Sequence, residues 1–229
     1  MIRMGKHVYR VLEPGIIYPF DAVSILIDQG NHLSLIDSGT GLTGVYEQIM
    51  HSIIYLGLTD KRISRVYNTH CHVSNAGGDY LFHRHHSATI VIHEGDSKAI
   101  HEGDPMLTDS FRFNIKFHPT PVGYVLKNET GLLEDGLVKL EYVHTPGHTP
   151  GSTTYVIHDP MRTIASIGDA LGSLNEKWAS NEKEWVKTLD KLKELEADTY
   201  CTSVKCYVKR EFIRYLDQIE KEGPIWISG

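Results

Sequence analysis

Three histidines and one aspartate have the residue types and the spacing to hold a metal ion. His70 and His72 are two residues apart after an apolar run, and at the end of a strand this spacing places both imidazoles on one side. His148 lies in a loop that flanking prolines make stiff, and Asp169 follows an apolar strand. Imidazole and carboxylate are common zinc ligands, so these four residues predict a site for a divalent ion.

Each of these features also has an ordinary structural explanation when it is taken alone. An HxH pair often lies on a surface by chance, and a single loop histidine such as His148 can serve only its turn. A Gly-Asp pair after a strand is commonly just a turn as well. The prediction therefore depends on the four residues occurring together and in this order.

The elements that must position these residues follow from the apolar patterns. We expect residues 65–69 to form the strand that delivers His70, and residues 137–143 and 163–167 to form the strands that precede the other two ligands. Residues 105–136 contain several helix and strand breakers and are expected to form a long loop, as a lid or a wall of the cleft. The remaining predicted strands are residues 7–12, 22–28, 32–37, 88–92, 153–157 and 199–204, and the predicted helices are residues 43–56, 75–85, 181–196 and 208–221.

Local signals support several of these elements. Residues 29–31 form a tight turn between two β-like segments, which predicts a hairpin. Asn181 and Glu184 supply a capping pair at the start of an amphipathic helix. Gly77 and Gly78 should allow close backbone approach near the start of the helix that follows the HxH pair.

The cysteines are interpreted as structural. Cys71 lies between His70 and His72, should point to the opposite face, and is expected to be a small buried thiol. Three cysteines are an odd and sparse count, which argues against a disulfide framework. Cys201 and Cys206 are five residues apart, which is the wrong spacing for a CxxC redox or zinc motif.

The other patterned histidines are assigned capping and surface roles rather than metal binding. The tetrapeptide His-Glu-Gly-Asp occurs twice, beginning at His93 and at His101, and three more histidines lie within residues 83–86. Two copies of four residues do not indicate a repeat architecture. His93 is the strongest candidate of this group for a further role because it follows a strand.

The overall composition excludes several classes of protein. The 229 residues are 41% hydrophobic and 23% charged, which is typical of a globular chain, and the absence of a Lys/Arg run in a chain of net charge -6 argues against nucleic-acid binding. The longest apolar stretches, such as residues 22–27, are too short to cross a membrane. Without a signal-peptide core or a linker, we expect one cytoplasmic domain over residues 1–229.

Four segments of the chain resemble, in order, the motifs of the metallo-β-lactamase superfamily. They are residues 35–41 with Asp37, residues 70–78, residues 144–152 and residues 167–170. The loop around His148 is the most specific of them. The resemblance implies an α+β fold, a four-layer αβ/βα sandwich whose ions lie in a cleft at the edge of two facing sheets.

The chain departs from this family in the residues of the second metal position. The family pattern is HxHxDH, but Ser74 stands at the aspartate position and Asn75 at the final histidine position. Residues 200–205, where the family has a late histidine, contain none. Serine and asparagine are poor ligands for a divalent cation. We therefore expect one ion per chain, held by His70, His72 and His148 with Asp169.

The leading hypothesis is a metal-dependent hydrolase that uses a single metal-activated water. His148 and Asp169 are the predicted catalytic residues, and the cofactor is one divalent ion, zinc or, as an alternative, iron. The partner is a small-molecule substrate with an ester, thioester, lactone or phosphoester bond. It would enter between residues 105–136 and the helix after Asp169. Catalysis should be weaker than in a two-metal relative because Ser74 cannot position the attacking water.

Two other hypotheses remain open at this point. The chain could be a degenerate module that binds metal or ligand without turnover. It could instead resemble the mononuclear iron persulfide dioxygenases, where His70, His148 and Asp169 would be the ligands, although Ser74 counts against this branch. The long loop and the last helix are candidates for contacts in a homodimer.

Overall fold

The computed structural model describes residues 1–228, which fold into two β-sheets with helices around them. The strands are β1 (Ile2–Arg3), β2 (Val8–Leu12), β3 (Ser24–Asp28), β4 (Leu33–Ile36), β5 (Ile63–Tyr67), β6 (Thr89–His93), β7 (Tyr124–Leu126), β8 (Thr130–Asp135), β9 (Lys139–His144), β10 (Thr153–Asp159), β11 (Arg162–Gly168), β12 (Thr199–Thr202) and β13 (Cys206–Val208). The helices are α1 (Thr43–Tyr55), α2 (Val73–Ala76), α3 (Asp79–His86), α4 (Glu94–Glu102), α5 (Ser110–Phe113), α6 (Glu182–Glu194) and α7 (Lys209–Glu222), with a 3-10 turn at Glu176–Trp178.

The two sheets face each other across the main hydrophobic core. The first sheet has the strand order β1-β2-β3-β4-β5-β6-β7, and the second has the order β13-β12-β11-β10-β9-β8. Helices α1 and α3 pack on the outer face of the first sheet, and α6 and α7 pack on the outer face of the second. This is the four-layer αβ/βα sandwich, so the predicted fold class is confirmed.

Strand β3 shows why the sheets are apolar on both faces. Ile25 and Ile27 point into the core between the sheets, whereas Leu26 between them belongs to the cluster beneath α1. The two-residue period of a strand sends successive side chains to opposite faces. β3 pairs with β4 through the predicted hairpin at residues 29–31.

Helix α6 confirms the predicted cap and buried stripe. The Asn181 side chain accepts a hydrogen bond from the Glu184 backbone N–H. Trp185, Leu189 and Leu192 are buried against the second sheet, and burial of each such side chain stabilises the fold by roughly 1.5–3 kcal/mol. Within residues 1–228, no helix is both long enough and apolar enough to span a bilayer.

The strand that leads to the HxH pair ends earlier than the sequence predicts. β5 stops at Tyr67, so Thr69 lies in a loop rather than in the expected strand over residues 65–69. The reason is Asp37, a residue with φ of +57° just after β4, whose carboxylate accepts hydrogen bonds from both the backbone N–H and the hydroxyl of Thr69. These bonds replace strand pairing and turn the chain toward the cleft.

The helix predicted over residues 75–85 is broken into α2 and α3 at Gly77 and Gly78. A Cβ atom on either glycine would lie 2.4 Å from a backbone oxygen, that of Thr40 for Gly77 and that of Ser38 for Gly78. The predicted close backbone approach is therefore present. It places the segment after the HxH pair directly against the loop that follows β4.

Residues 105–136 are not the continuous loop that the breakers suggested. They contain α5, and their last part supplies β7 at the edge of the first sheet and β8 at the edge of the second. β7 looks like part of a loop because its pairing partner β6 lies far away in sequence, whereas β8 pairs with β9 across a short turn at residues 136–138. The start of this segment does line the cleft, as described below.

The cysteine count did not reveal the disulfide between Cys201 and Cys206. These residues are directly paired across β12 and β13, and the bond closes the tight connection that contains Ser203. The expectation against disulfides is wrong here because a single cross-strand bond needs only register, not a framework. Cys71 is a buried free thiol, as predicted.

Candidate metal centre

The structure brings together the four residues that the sequence singled out. His70, His72, His148 and Asp169 each offer one ligand atom, and these atoms all lie within 4.8 Å of one another. Nε2 of His148 is 3.2 Å from Nδ1 of His72, and Nε2 of His70 is 3.6 Å from Oδ2 of Asp169. The three rings meet edge to face, with centroids 4.6 to 4.9 Å apart. This arrangement converges on one small volume.

Hydrogen bonds outside the site orient the ring of His70. Its Nδ1 lies 3.2 Å from the Thr69 hydroxyl, and that hydroxyl donates to the Asp37 carboxylate at 2.8 Å. The hydroxyl proton is thus committed to Asp37, so Nδ1 of His70 carries the proton and donates to Thr69. The opposite atom, Nε2, is then an unprotonated lone pair that faces the centre.

His148 is oriented in the same way from the other side of the cleft. Its Nδ1 donates to the backbone carbonyl of Ser173 at 2.6 Å, which leaves Nε2 as the acceptor that faces the centre. The loop that carries it is braced by α6. Gly147 has a φ of +137°, and a Cβ there would lie 2.4 Å from the backbone of Trp185, so only glycine fits.

Burial and charge make these imidazoles suitable for a cation. Burial, followed by the charge of His148, lowers the pKa of His70 to about 3, and burial lowers the pKa of His72 well below its usual value. Both rings are therefore neutral at neutral pH, which is the form that binds a metal. Nε2 of His70 is buried without a hydrogen-bond partner within residues 1–228. An orphaned lone pair beside Asp169 fits a divalent ion.

Asp96 ties together the two loops that carry the candidate ligands. Its fully buried carboxylate accepts hydrogen bonds from the backbone N–H of Cys71 at 3.0 Å, from the Thr149 hydroxyl at 2.8 Å and from the backbone N–H of Gly151 at 2.8 Å. Cys71 lies between the first two histidines, and Thr149 directly follows the third. One side chain at the start of α4 therefore sets the distance between the two segments.

Sequence comparison assigns the family. The profile of the metallo-beta-lactamase superfamily matches residues 17–204. The chain belongs to the metallo-beta-lactamase superfamily. A relative named a probable metallo-hydrolase, from Methanocaldococcus jannaschii, is 30% identical over 152 residues, which make up 66% of this chain and 69% of that protein. Family membership and the His/Asp group together support a metal-dependent hydrolase in general terms.

Solved structures of metallo-beta-lactamases share the fold. The class B3 di-zinc metallo-beta-lactamase LRA-12 from an Alaskan soil metagenome superposes with a TM-score of 0.77 at 20% identity, covering 96% of this chain and 91% of that one. The metallo-beta-lactamase GOB-18 from Elizabethkingia meningoseptica gives a TM-score of 0.76 at 18% identity, with the same coverage. At these identities the similarity establishes the fold alone.

In this member of the superfamily, hydrogen bonds connect the positions where a second ion would need ligands. The Asn75 amide donates to Oδ2 of Asp37 at 2.8 Å and to the hydroxyl of Ser203 at 3.0 Å. The Ser74 hydroxyl donates to the Asn75 side-chain oxygen at 2.8 Å. Burial raises the pKa of Asp37 to about 7, so its carboxyl is only partly ionised at neutral pH.

A cleft of about 290 Å³ opens beside the four residues. Asp109, Arg112 and Phe113 form one wall, which agrees with the predicted role of residues 105–136 as a wall. Trp178, from the segment after Asp169, forms another part of the lining, and its ring packs against His72 with centroids 4.5 Å apart. Trp178 belongs to the 3-10 turn that precedes α6, so the cleft is bounded by this turn rather than by the helix predicted after Asp169.

His93 and His144 lie outside the candidate metal centre. His93 caps α4 by accepting a hydrogen bond from the Gly95 backbone N–H, and its ring stacks on His144 with centroids 3.7 Å apart. Burial, then the charge of His144, lowers the pKa of His93 to about 4. The capping role assigned from the sequence is thus confirmed for His93.

Sequence reasoning missed Asp96, Arg112 and Trp178. One available signal for Asp96 was its position in the first His-Glu-Gly-Asp copy, which follows a strand and so starts a helix near the cleft. Arg112 and Trp178 had no comparable signal, because their contacts with the site are made across long stretches of chain.

Proposed function

We propose that this protein is a hydrolase that works with one divalent metal ion, zinc by preference, held by His70, His72, His148 and Asp169. The observation that carries the proposal is the orphaned lone pair of His70, surrounded by two more neutral imidazoles and a carboxylate. The relative named a probable metallo-hydrolase points in the same direction.

Different residues of the site would bind the ion and accept a proton. A divalent ion in such a site supplies Lewis acidity that lowers the pKa of water to about 7. The three imidazoles bind, and Thr69 and Ser173 hold two of them in the required tautomer. Asp169 is the one ligand candidate with substantial solvent access, at 27% exposure of its side chain, and its carboxylate can accept a proton from the attacking water.

A single ion is favoured over a pair by the chemistry of the second position. Ser74, Asn75 and Ser203 are neutral and are already hydrogen-bonded among themselves or to Asp37. Binding a second cation there would break these bonds and would gain only weak ligands in return.

The size of the cleft supports a small-molecule substrate. A volume of about 290 Å³ lies at the lower end of the range for ligand pockets. Esters, thioesters, lactones and phosphoesters all match the proposed reaction, in which activated water attacks an acyl or phosphoryl centre.

Metal analysis combined with a hydrolase screen tests the proposal. We expect about one zinc per chain in the wild-type protein and turnover of at least one class among ester, thioester, lactone and phosphodiester probes. His148→Ala should lose most of the metal and the activity. His51→Ala removes an exposed histidine of α1 and should change neither.

Each contrary outcome has a distinct meaning. Two ions per chain after gentle purification would refute the single-metal site, and unchanged metal content in His148→Ala would make His148 a turn residue. Bound metal without turnover of any probe would indicate the non-catalytic module. Bound iron with oxygen consumption would indicate a dioxygenase.

A further inference from the structure

Arg112 is the one arginine or lysine among the described residues that line the cleft. It lies in α5, and it lines the same cavity as His72, His148 and Asp169. Its side chain is 45% exposed. An exposed guanidinium in a cleft of this size faces any molecule that approaches the metal ligands.

Asp109 holds the guanidinium in place. Nε of Arg112 is 2.9 Å from Oδ2 and 3.1 Å from Oδ1 of the Asp109 carboxylate, and Nη2 also donates to this group. Asp109 is itself buried, with 6% of its side chain exposed, and accepts a further hydrogen bond from Nε1 of Trp178 at 3.2 Å. The side chain of Arg112 is therefore oriented before any ligand arrives.

Aromatic rings connect Arg112 to the metal ligands. The guanidinium carbon lies 4.9 Å from the ring centroid of Phe113 and 5.2 Å from that of Trp178. The Trp178 ring in turn packs on His72 and on His148, with centroid distances of 4.5 and 5.1 Å. The Trp178 ring therefore contacts both Arg112 and two of the candidate ligand histidines.

One edge of the guanidinium remains available. Within residues 1–228, the hydrogen bonds of Arg112 use Nε and Nη2, so the two N–H groups of Nη1 and the outer N–H of Nη2 have no protein acceptor. This edge has the fork geometry that binds carboxylate and phosphate through two parallel hydrogen bonds. Because the Arg112 side chain is 45% exposed and lines the cleft, these N–H groups can bind a ligand there.

We propose that Arg112 binds an oxyanion group, a carboxylate or a phosphate, on a small acidic substrate whose scissile bond lies at the metal ligands. The inference rests on the proposed hydrolase function and deepens it by naming the substrate class. Phe20 and Phe113, whose centroids are 4.9 Å apart, form an apolar wall for the short carbon chain between the two groups.

Binding of small acids to the zinc-loaded protein tests this site without requiring turnover. Butyrate, succinate and 3-phosphonopropionate share one carboxylate for the metal and differ at the far end, which is apolar, a carboxylate or a phosphonate. We expect calorimetry to show one of the two dianions binding about 10-fold more tightly than butyrate, and which one it is tells carboxylate from phosphate. The preference should decrease as salt is added.

Variants of Arg112 assign the preference to this residue. Arg112→Gln should abolish it, and Arg112→Lys, which keeps the charge but loses the fork, should retain part of it. Arg84→Gln removes an exposed arginine of α3 and should leave the preference unchanged. If Arg112→Gln does not fold, the role of Arg112 is still tested by the preference of the wild type for one dianion over butyrate and by its reduction in Arg112→Lys.

Ester hydrolysis separates this inference from the proposed function. An Arg112-dependent preference in a protein that hydrolyses neither 4-nitrophenyl hemisuccinate and 4-nitrophenyl butyrate nor any thioester, lactone or phosphodiester probe would keep the anion site and reject the hydrolase. Hydrolysis of both esters with equal kcat/KM, together with equal binding of all three acids, would keep the hydrolase and overturn the role of Arg112. A preference that survives in Arg112→Gln would overturn it as well.

Discussion

The side-chain amide of Asn75 donates a hydrogen bond to the hydroxyl of Ser203 across 3.0 Å, although the two residues are 128 positions apart. The contact joins the segment after the HxH pair to the connection between β12 and β13. These are the two segments from which the family draws ligands for a second ion. In this protein they hold each other instead.

Rebuilding the second site should require both of these segments. Ser74→Asp with Asn75→His restores the family pattern, and we expect this double variant to bind a second zinc only weakly. Adding Ser203→His supplies a third strong ligand from the opposite segment and should tighten the second ion by 10-fold or more, on the order of what one good ligand contributes. Competition with a chromophoric chelator measures both affinities.

The control for this series is Ser203→His alone, which should still bind one ion. A double variant that binds the second ion as tightly as the triple variant would show that Ser203 is not the missing position. Failure of the triple variant to bind a second ion would show that the backbone geometry, rather than the side chains, excludes it.

Asp96→Asn should weaken metal binding more than it weakens the fold. An asparagine amide cannot accept from both backbone N–H groups, so either Cys71 or Gly151 loses its partner, at a cost of about 1–3 kcal/mol. Because these N–H groups lie in the two ligand loops, we expect zinc affinity to fall about 10-fold or more. Thermal unfolding with and without zinc separates the two effects.

Asp104→Asn is the matched control, since Asp104 ends the second His-Glu-Gly-Asp copy. Its carboxylate accepts through Oδ1 from the backbone of Met106 and Leu107, which an asparagine oxygen can replace. The zinc-dependent gain in melting temperature should shrink for Asp96→Asn and stay constant for Asp104→Asn. An equal decrease in the melting temperature with and without zinc would show that Asp96 has a purely structural role.

The disulfide predicts a specific thiol count. Alkylation of the denatured, non-reduced protein should label Cys71 alone, and reduction should raise the count from one to three. Because the bond closes a short loop, its loss should cost about 2 kcal/mol of the free energy of unfolding, measured by urea titration with and without reductant. Three thiols in protein purified without reductant would contradict the pairing.

Asp79 makes the stability of the metal-free protein depend on pH. Burial raises the pKa of its carboxyl to about 8, whereas the unfolded chain ionises it near 3.8. Between these values the folded state holds one extra proton, so the free energy of unfolding falls as pH rises, by about 1.4 kcal/mol per pH unit from this group, and levels off above pH 8.

Asp79→Asn removes this titration. Asn68 donates to Asp79 at 2.6 Å while its own side-chain oxygen has no partner within residues 1–228, so a rotated Asn68 amide can accept from an asparagine at position 79. Between pH 6 and pH 8 we expect the variant to gain roughly 2 kcal/mol relative to the wild type in chelator-treated samples. Parallel stability curves over this range would show that Asp79 is ionised in the fold.

Much of the fold could be predicted from local patterns. The hairpin at residues 29–31 and the cap at Asn181 depend on contacts between residues that are close in sequence. The predicted bounds of an element were wrong where a residue distant in sequence contacts it. The hydrogen bond from Thr69 to Asp37 ends β5 early, and the close approach of Gly77 to the backbone of Thr40 breaks the predicted helix.

The sequence by itself determined the family, the layer architecture and the four residues of the candidate metal centre, because residue type, spacing and two- or 3.6-residue periods are local properties. Only the tertiary structure decided how those residues meet. The Asp96 bridge and the placement of Arg112 beside Trp178 depend on contacts between segments 25 to 69 residues apart. Such contacts follow from how sheets and helices pack, and no single stretch of the chain encodes them.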